Sequence, residues 1–305
     1  MFSGQGSQFY QMGKQLFDQN PVFRRSMLEL DELALRISGR HIIDAMYSSP
    51  KSAVFDRTVL THPAIFMVEY SLAQCLIAAG VRPDLTLGSS LGSFAAAAVG
   101  GYLTPADALA GVLEQAESFE ASCERGAMIA ILADPALYQE DFLCLHSEMA
   151  GINFSTHFAV SAAQSDLAGI EAALKQRGIT HQRLAVSYAY HSRWIDNAQE
   201  QFEWFMRTVP LTPGTLPLVC CEQGRTLTAL APDFFWRVVR RPIRFREALA
   251  HLEQGGSCRY IDVGPSGTLA TFVKYALAPS SASSAHPILT PYGQDQKNLA
   301  ALVAA

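Results

Sequence analysis

Gly88-Ser89-Ser90-Leu91-Gly92 is the stretch of sequence that decides how this chain folds. An apolar run, 85–87, precedes it, and a run of mostly small residues, 93–99, follows it. Small residues around a serine also fit plain helix packing, but this context favours a strand, a sharp turn and a helix with Ser90 at the apex. The glycines are needed because the flanking elements nearly touch. Ser90 is therefore expected at a helix N-terminus, where backbone N–H groups favour a developing oxyanion.

A serine of this kind needs a base, since its hydroxyl is a weak nucleophile near neutral pH. The chain has eight histidines, most of which fit surface or structural positions, while His157 is ambiguous. His191 differs, because an apolar and aromatic approach with Tyr188 and Tyr190 delivers its imidazole just before a predicted helix. Alone, His191 also fits a structural role. Paired with Ser90, it is the best candidate for the base.

The composition is that of a globular enzyme. Of the 305 residues, 49% are hydrophobic and 17% are charged, which suits one large core and a smaller second one. The net charge of −5 argues against a nucleic-acid-binding surface. One basic cluster, within 237–246, most simply covers a solvated helix face, although it could also receive an acidic partner.

The sequence places the protein in the cytoplasm. Its six cysteines have no metal or redox spacing, so we expect reduced thiols and no metal site. The start, 1–6, is not a signal peptide, and the longest apolar run, 94–103, is far shorter than the ~20 residues of a membrane helix. We expect a soluble monomer. Met1 and Phe2 read as the end of a strand, which suggests that a few residues precede them.

Strands and helices alternate in the two outer parts of the chain, which predicts a mostly parallel sheet covered by helices. A second group of alternating strands and helices predicts a small inserted α+β subdomain. The expected organisation is a discontinuous large α/β domain, 1–125 and 190–305, with the subdomain at 126–189.

Local signals also predict where two helices begin and end. Thr61-His62-Pro63 is expected to start a helix, with Thr61 as the cap and Pro63 in the first turn. The last predicted helix runs through Tyr275.

The motifs together resemble the malonyl-CoA:acyl carrier protein transacylases, a family that includes the acyltransferase domains of polyketide synthases. Gly4-Gln5-Gly6-Ser7-Gln8 resembles their Gly-Gln-Gly-Ser-Gln opening, and residues 88–92 are similar to their Gly-His-Ser-Leu-Gly. Tyr188-Ala189-Tyr190-His191-Ser192 resembles their His-Ala-Phe-His-Ser. Three further segments are similar to landmarks of the family: 61–64, 236–245 and 262–265. The landmarks are in order and span almost the whole chain.

The resemblance implies a fold and a set of roles. The fold is a large α/β hydrolase-like domain with a mostly parallel sheet and a small inserted ferredoxin-like α+β subdomain. Ser90 is implied as the nucleophile and His191 as its base, with no acidic third member. The backbone N–H groups of Gln5 and Leu91 are implied as the oxyanion hole. A backbone carbonyl near Val238 is implied to orient His191.

The chain departs from the family at Gln115. Members that move malonyl units hold its carboxylate with an arginine eight residues beyond an Asp-Ala pair, and counting from Asp107 reaches Gln115. Glutamine can donate a hydrogen bond but cannot neutralise charge, and a buried carboxylate without a cation costs several kcal/mol. We therefore expect malonyl to bind poorly, unless another cation substitutes. Arg193, two residues past His191, is the candidate for that substitution.

Other changes also suggest an acyl pocket for an uncharged group. Ser89 and His62 replace a histidine and a glutamine of the family, and Tyr188 and Tyr190 replace histidine and phenylalanine. The family has a branch without the arginine, the acyl hydrolases that accompany polyketide synthases with free-standing acyltransferases. They cleave acetyl or similar groups from carrier proteins and so clear blocked assembly lines, a form of proofreading. This chain looks like that branch.

The sequence therefore predicts a thioesterase that removes short uncharged acyl groups from acyl carrier proteins through an acyl-Ser90 intermediate. The resemblance implies a substrate on the phosphopantetheine arm of a carrier protein and no bound cofactor or metal. The first alternative is an acyltransferase that loads malonyl or another acyl unit from CoA onto a carrier protein. A second is a non-catalytic docking protein, against which Ser90, His191 and Gln5 argue.

Overall fold

A computed structural model describes residues 1–304 as helices packed around a mixed α/β framework. The helices are α1 Lys14–Gln19, α2 Pro21–Ser38, α3 Ile42–Tyr47, α4 Thr58–Ala78, α5 Gly92–Val99, α6 Pro105–Ser122, α7 Asp141–Cys144, α8 Leu167–Gln176, α9 Gln199–Met206, α10 Phe234–Arg240, α11 Phe245–Glu253, α12 Thr268–Ala276 and α13 Asp295–Val303. Two 3₁₀ helices cover Pro135–Gln139 and Arg193–Ala198. The strands are β1 Thr86–Gly88, β2 Gly126–Ile131, β3 Glu148–Phe154, β4 His157–Ala163, β5 His181–Arg183, β6 Leu218–Cys220, β7 Arg225–Leu227, β8 Ile243–Arg244, β9 Arg259–Asp262 and β10 Ser284–Pro287.

The large sheet is mostly parallel, as predicted. β1 pairs with β6 and β9 with β10 in parallel, while β7 joins β6 antiparallel. The first two residues connect the two halves: the N–H of Phe2 donates to the Leu87 carbonyl at 2.8 Å, and that of Val263 donates to the Met1 carbonyl at 3.1 Å. The order is therefore β7-β6-β1, then the N-terminal segment, then β9-β10.

Both faces of this sheet are buried, because successive side chains of a strand point to opposite faces. Leu87 and Val219 pack with apolar residues of α11 and α12 on one face. Leu218 and Cys220 pack into the larger core, which contains α4, α5 and α6, on the other. The strands are therefore covered on both sides, as parallel sheets are.

The second sheet, here called the small sheet, has the order β5-β2-β4-β3-β8. β5, β2, β4 and β3 pair antiparallel, and α8 covers them with Ile170 and Leu174 in a core of their own. The fifth strand, β8, pairs parallel with β3 through Gly151 and Ile243. The small sheet thus takes one strand from outside 126–189, and the boundaries of the subdomain stay a prediction.

The predicted helix start at Thr61-His62-Pro63 is wrong. α4 begins at Thr58, and Pro63 lies inside it. The N–H of Val59 donates to the Glu120 carboxylate of α6 at 3.3 Å, so the first turn is satisfied from a neighbouring helix and not by a local cap. Burial on all sides of α4 outweighs the hydrogen bond that Pro63 cannot make.

The predicted helix through Tyr275 is confirmed as α12, but it is not the last helix, since α13 follows it. The side chain of Asn298 donates to the Ile288 carbonyl at 3.0 Å, and Leu299 and Leu302 pack into the large core. All six cysteines are free thiols. Within residues 1–304, no helix is both long and apolar enough to cross a bilayer.

Candidate active site

Ser90 lies at the apex of the turn between β1 and α5, with a left-handed backbone at φ 54°. Such a conformation is costly for a residue other than glycine and is typical of functional sites. The neighbours of the turn leave no room for side chains. A Cβ on Gly88 would lie 2.6 Å from the Ser93 Cα, and one on Gly92 would lie 2.2 Å from the Phe2 carbonyl oxygen. Glycine at both places therefore permits the turn that the sequence predicts.

His191 faces Ser90 across the site. Its Nε2 lies 2.9 Å from the Ser90 Oγ, and its Nδ1 lies 2.7 Å from the Arg241 carbonyl oxygen. Because a carbonyl only accepts, Nδ1 carries the proton and Nε2 is left to accept from the serine hydroxyl. We call Ser90, His191 and the Arg241 carbonyl the reaction centre.

The resemblance implied an orienting carbonyl near Val238, and the carbonyl that accepts from His191 lies three residues further on, at Arg241. Val238 lies in α10, whereas Arg241 is the first residue after that helix and has an extended backbone, φ −91° and ψ 156°. Its carbonyl is therefore free of the helix and available to the imidazole. The His191 N–H donates to the Val239 carbonyl at 2.8 Å, which fixes the backbone of the histidine, itself at φ 61°.

The environment keeps His191 neutral. Burial lowers its pKa to about 4, the Arg241 carbonyl raises it and the charge of Arg240 lowers it further. Both His191 and Ser90 are buried. The imidazole can thus act as a proton acceptor throughout the neutral pH range.

Two backbone N–H groups beside Ser90 are free. A Cβ on Gly4 would lie 2.9 Å from the Ser90 Cβ, so the backbone of Gly4 and Gln5 passes directly beside the serine. Leu91 follows Ser90 at the start of α5. Neither the Gln5 nor the Leu91 N–H has an acceptor among residues 1–304. This arrangement suits an oxyanion, although that role stays a prediction.

A buried carboxylate that the sequence analysis missed anchors this loop. Glu69 Oε1 accepts from the Ser3 N–H at 2.5 Å and from the Ser3 hydroxyl at 2.9 Å, and the Ser7 hydroxyl donates to the Gly4 carbonyl at 2.8 Å. Burial raises the pKa of the Glu69 carboxyl well above its usual range. The signal in the sequence was a single carboxylate within the apolar run of α4.

Four rings form an aromatic cluster next to the reaction centre: His62, Phe119, Tyr188 and Tyr190. Their centroids lie 5.2–6.2 Å apart in the five pairs that are in contact. Gln115, which is buried, lies one turn before Phe119 on the same face of α6. The structure thus brings together the predicted pocket residues on α4, α6 and the segment before His191. Phe119 was missed, although its spacing from Gln115 pointed to it.

Most polar atoms of this region lack partners. Gln115 Oε1 and Nε2, His62 Nδ1 and Gln5 Oε1 are buried without a hydrogen bond to any residue in 1–304. The Gln5 Nε2 donates to the Thr61 hydroxyl at 2.7 Å, and Tyr190 Oη lies 3.1 Å from the Thr58 hydroxyl. Burial alone lowers the pKa of His62 to about 3. The region is therefore polar but uncharged.

Arg193 does not take the place of the missing arginine. Its guanidinium is exposed, pairs with Glu148 at 2.8 Å and lies 4.4 Å from the Trp194 ring centroid. Arg125, which is exposed, lies beside the aromatic cluster, with its guanidinium 5.5 Å from the Tyr188 ring centroid.

Ser89 lies on the other side of the turn. Its N–H donates to the Phe2 carbonyl at 3.0 Å, and its side chain lies beside the thiol of Cys221. In the described part of the chain, no group of three or more His, Cys, Asp or Glu side chains could hold a metal ion.

Comparisons with known proteins agree on one family. The acyl transferase domain family matches residues 1–304. The polyketide biosynthesis acyltransferase homolog BaeD of Bacillus velezensis is 45% identical over 302 residues, 98% of this chain and 93% of that protein. The homolog PksD of Bacillus subtilis has the same identity and coverage.

Solved structures show the same fold. An acyltransferase domain of the salinomycin polyketide synthase has a TM-score of 0.87 and 27% identity, over 98% of this chain and 70% of that one. A loading acyltransferase of the avermectin synthase has a TM-score of 0.90 at 24% identity, over 99% and 97%. These likenesses confirm the predicted α/β hydrolase-like fold with a ferredoxin-like subdomain. By sequence and by fold, this chain belongs to the acyl transferase domain family.

Proposed function

We propose that this chain is a serine acyl hydrolase of polyketide biosynthesis, which removes acetyl or another short uncharged acyl group from acyl carrier proteins. The names of the relatives BaeD and PksD support the pathway. Removal of stray acyl groups serves as proofreading in a synthase with free-standing acyltransferases. The proposal includes action in the cytoplasm, as a monomer, without a bound cofactor or metal.

The reaction begins with Ser90. Its Oγ attacks the thioester carbonyl while His191 Nε2 takes the hydroxyl proton, and the N–H groups of Gln5 and Leu91 hold the oxyanion. The intermediate collapses, and the carrier thiol leaves with the proton from His191. Water then attacks the acyl-Ser90 ester while His191 takes its proton. The free acid departs and the proton returns to Ser90.

The observation that carries the proposal is the uncharged region around Gln115 and His62. Burial lowers the pKa of His62, and the Gln115 amide beside it carries no charge, so these two side chains offer no cation; Arg125 is exposed and lies beside Tyr188. A malonyl carboxylate placed here loses its hydration without gaining a cation. Each 1.4 kcal/mol of that cost lowers binding tenfold. An uncharged acyl group escapes the cost.

The second candidate is an acyltransferase that loads malonyl or another acyl unit from CoA onto a carrier protein. The likeness to named acyltransferases favours it, and the reaction centre serves both reactions equally. The two candidates differ in whether water or a second thiol receives the acyl group from Ser90.

Intact mass measurement on carrier proteins separates the two. Acetyl- and malonyl-carrier protein are each incubated with the enzyme and with an unloaded second carrier. Faster loss of acetyl than of malonyl to water is the expected result. Efficient transfer of malonyl to the second carrier would show a loading enzyme. Ser90→Ala serves as the inactive control, and Ser165→Ala, at an exposed serine, as its matched partner.

A further inference from the structure

A cleft of about 400 Å³ lies beside the reaction centre, and we call it the arginine cleft. It is lined by Glu222, Gln223, Arg225, Arg237, Arg241, Pro242 and Arg244. Four arginines and one carboxylate line it, and Asp233 pairs with Arg237 at 3.0 Å from outside the lining, which leaves an excess of two positive charges in a chain whose net charge is −5. This concentration of charge points to a negatively charged ligand.

The cleft does not neutralise itself. Glu222 is shared by Arg237 at 3.7 Å and Arg241 at 3.4 Å. In residues 1–304, Arg225 and Arg244 have no ion pair at all. The Glu222 Oε2 and the Arg237 Nε are buried there without a hydrogen bond to any described residue. These two atoms face each other in the 3.7 Å ion pair, so the groups that remain open to a ligand are the guanidiniums of Arg225 and Arg244.

The fold brings the arginine cleft next to Ser90. β1 and β6 are parallel neighbours, with Gly88 paired to Cys220. Ser90 and Glu222 each lie two residues beyond this pair, and neighbouring strands are about 4.8 Å apart. Ligands of parallel sheets bind beyond the carboxyl ends of the strands, where both residues lie. Arg241 also joins the two sites, since its carbonyl accepts from His191.

We propose that the arginine cleft binds the phosphate of the phosphopantetheine arm while the thioester lies at Ser90. This inference rests on the proposed function, because it assumes a substrate on that arm. Guanidinium groups match phosphate oxygens with two parallel hydrogen bonds, and arginine is favoured for phosphate recognition. Glu222 holds Arg237 and Arg241 in place, and Arg225 and Arg244 remain free to contact the ligand.

A concave site suits a phosphate better than the surface of a protein. The volume of the cleft lies in the range of small-ligand sites, whereas protein partners bury broad areas. The same phosphate chemistry comes from the arm of a carrier protein or from CoA. Acidic side chains on the carrier protein itself are the competing explanation, and they predict an effect of the arginines on acetyl-carrier protein alone.

The test compares acetyl-pantetheine with acetyl-phosphopantetheine, which differ only in the phosphate. We expect the wild-type kcat/KM to favour the phosphorylated compound by about tenfold or more, the value of a charge-assisted hydrogen bond. The double variant Arg225→Gln with Arg244→Gln is expected to lose this preference and to keep its activity on acetyl-pantetheine. Arg246→Gln is the matched control: Arg246 is exposed, pairs with Glu247 and lies outside the cleft.

Acetyl-CoA and acetyl-carrier protein are measured in parallel, and loss with both supports phosphate binding from either source. Equal wild-type rates on the two small substrates would overturn the proposal, as would a preference that persists in the double variant. Loss confined to acetyl-carrier protein would assign the arginines to an acidic carrier surface instead. If the wild type hydrolyses neither small substrate nor acetyl-carrier protein, the proposed function fails separately. Calorimetric binding of phosphopantetheine against pantetheine, to wild type and double variant, then tests the cleft alone.

Discussion

The reaction centre and the aromatic cluster are neighbours, yet their polar atoms are in opposite states. Both imidazole nitrogens of His191 have a partner at 2.7–2.9 Å. One residue away, Tyr190 contacts His62, whose Nδ1 has no partner among residues 1–304. The Gln115 amide is in the same state. A buried polar group without a hydrogen-bond partner costs free energy of folding, so a functional reason is expected for the unpartnered atoms of His62 and Gln115.

This difference in hydrogen bonding indicates that the two regions have different roles, one in the reaction and one in the choice of acyl group. The hydrogen bonds of the reaction centre are formed before any substrate binds. This suits a step in which the proton acceptor must already have the correct orientation. The aromatic cluster with Gln115 is complete only when a ligand or water fills it. We infer that the first region sets the reaction type that the family shares, and that the second sets which acyl group is accepted.

The largest expected effect comes from breaking the reaction centre. Ser90→Ala or His191→Ala should lower acetyl-carrier protein hydrolysis by about a thousandfold or more, because nucleophile and base act as one unit. Intact mass should also show no acyl-enzyme in Ser90→Ala. Circular dichroism checks that both variants fold. Retention of full activity in Ser90→Ala would show that Ser90 is not the nucleophile, whereas absence of activity in the wild type as well would return the chain to the hypothesis of a non-catalytic docking protein.

The second largest effect is expected from placing a positive charge at Gln115, beside the aromatic cluster. Gln115→Arg should raise the ratio of malonyl to acetyl kcat/KM by about tenfold to a hundredfold, since a guanidinium can pair with the malonyl carboxylate. Gln115→Leu, which has similar volume and no charge, is the matched control and should not raise it. An unchanged ratio in Gln115→Arg would mean that acyl selection lies elsewhere.

The pH profile sharpens the comparison through His191, whose pKa is lowered to about 4. The base acts when deprotonated, so kcat/KM should be flat from about pH 5 to 7 and fall about tenfold per pH unit below pH 4. Arg240→Gln removes a charge that lowers the pKa of His191, so the fall should begin at a higher pH. A midpoint near pH 6.5 would contradict the buried, neutral imidazole.

The smallest effect on activity is expected from His62→Gln, which acts on stability. Burial lowers the pKa of His62 in the folded chain to about 3, below the 6.5 of an exposed histidine. The unfolded chain therefore binds more protons as the pH falls below 6.5, and stability is lost. Between pH 7.5 and 4.5, the free energy of unfolding should fall by about 2 kcal/mol more in wild type than in His62→Gln.

Urea titrations at the two pH values measure this difference. His251→Gln, at an exposed histidine, is the control and should behave as wild type. Equal losses in wild type and His62→Gln would show that His62 is hydrated, and that the aromatic cluster is open to water.

Local sequence predicted the parts of the site that local geometry determines. The sharp turn at Ser90 could be predicted because it requires a glycine on each side, where any side chain would clash with the backbone. The aromatic segment before His191 is likewise buried in the structure, as its sequence indicates. Both depend on residues adjacent in the chain, which a pattern can express.

The predictions that were wrong, imprecise or missing concern contacts between segments that are distant in the sequence. The carbonyl that orients His191 is set by where α10 ends, and α4 begins at Thr58 because Glu120 of another helix satisfies its first turn. Glu69 anchors the loop that contains Gln5 by accepting from Ser3, which is 66 residues away in sequence. Arg193 was a candidate for the missing arginine because it lies two residues from His191 in the sequence. Its ion pair with Glu148 of the small sheet keeps its guanidinium at the surface.

The position of Arg241 has a mechanical consequence. Two residues after the carbonyl that orients His191, the chain enters β8 and becomes the edge strand of the small sheet. A Cβ on Gly151 would lie 2.7 Å from the Ile243 Cβ, so this joint is tightly fitted. The strand that pairs with the small sheet is thus only two residues from the carbonyl that contacts His191, so the small sheet helps to fix the position of the candidate base.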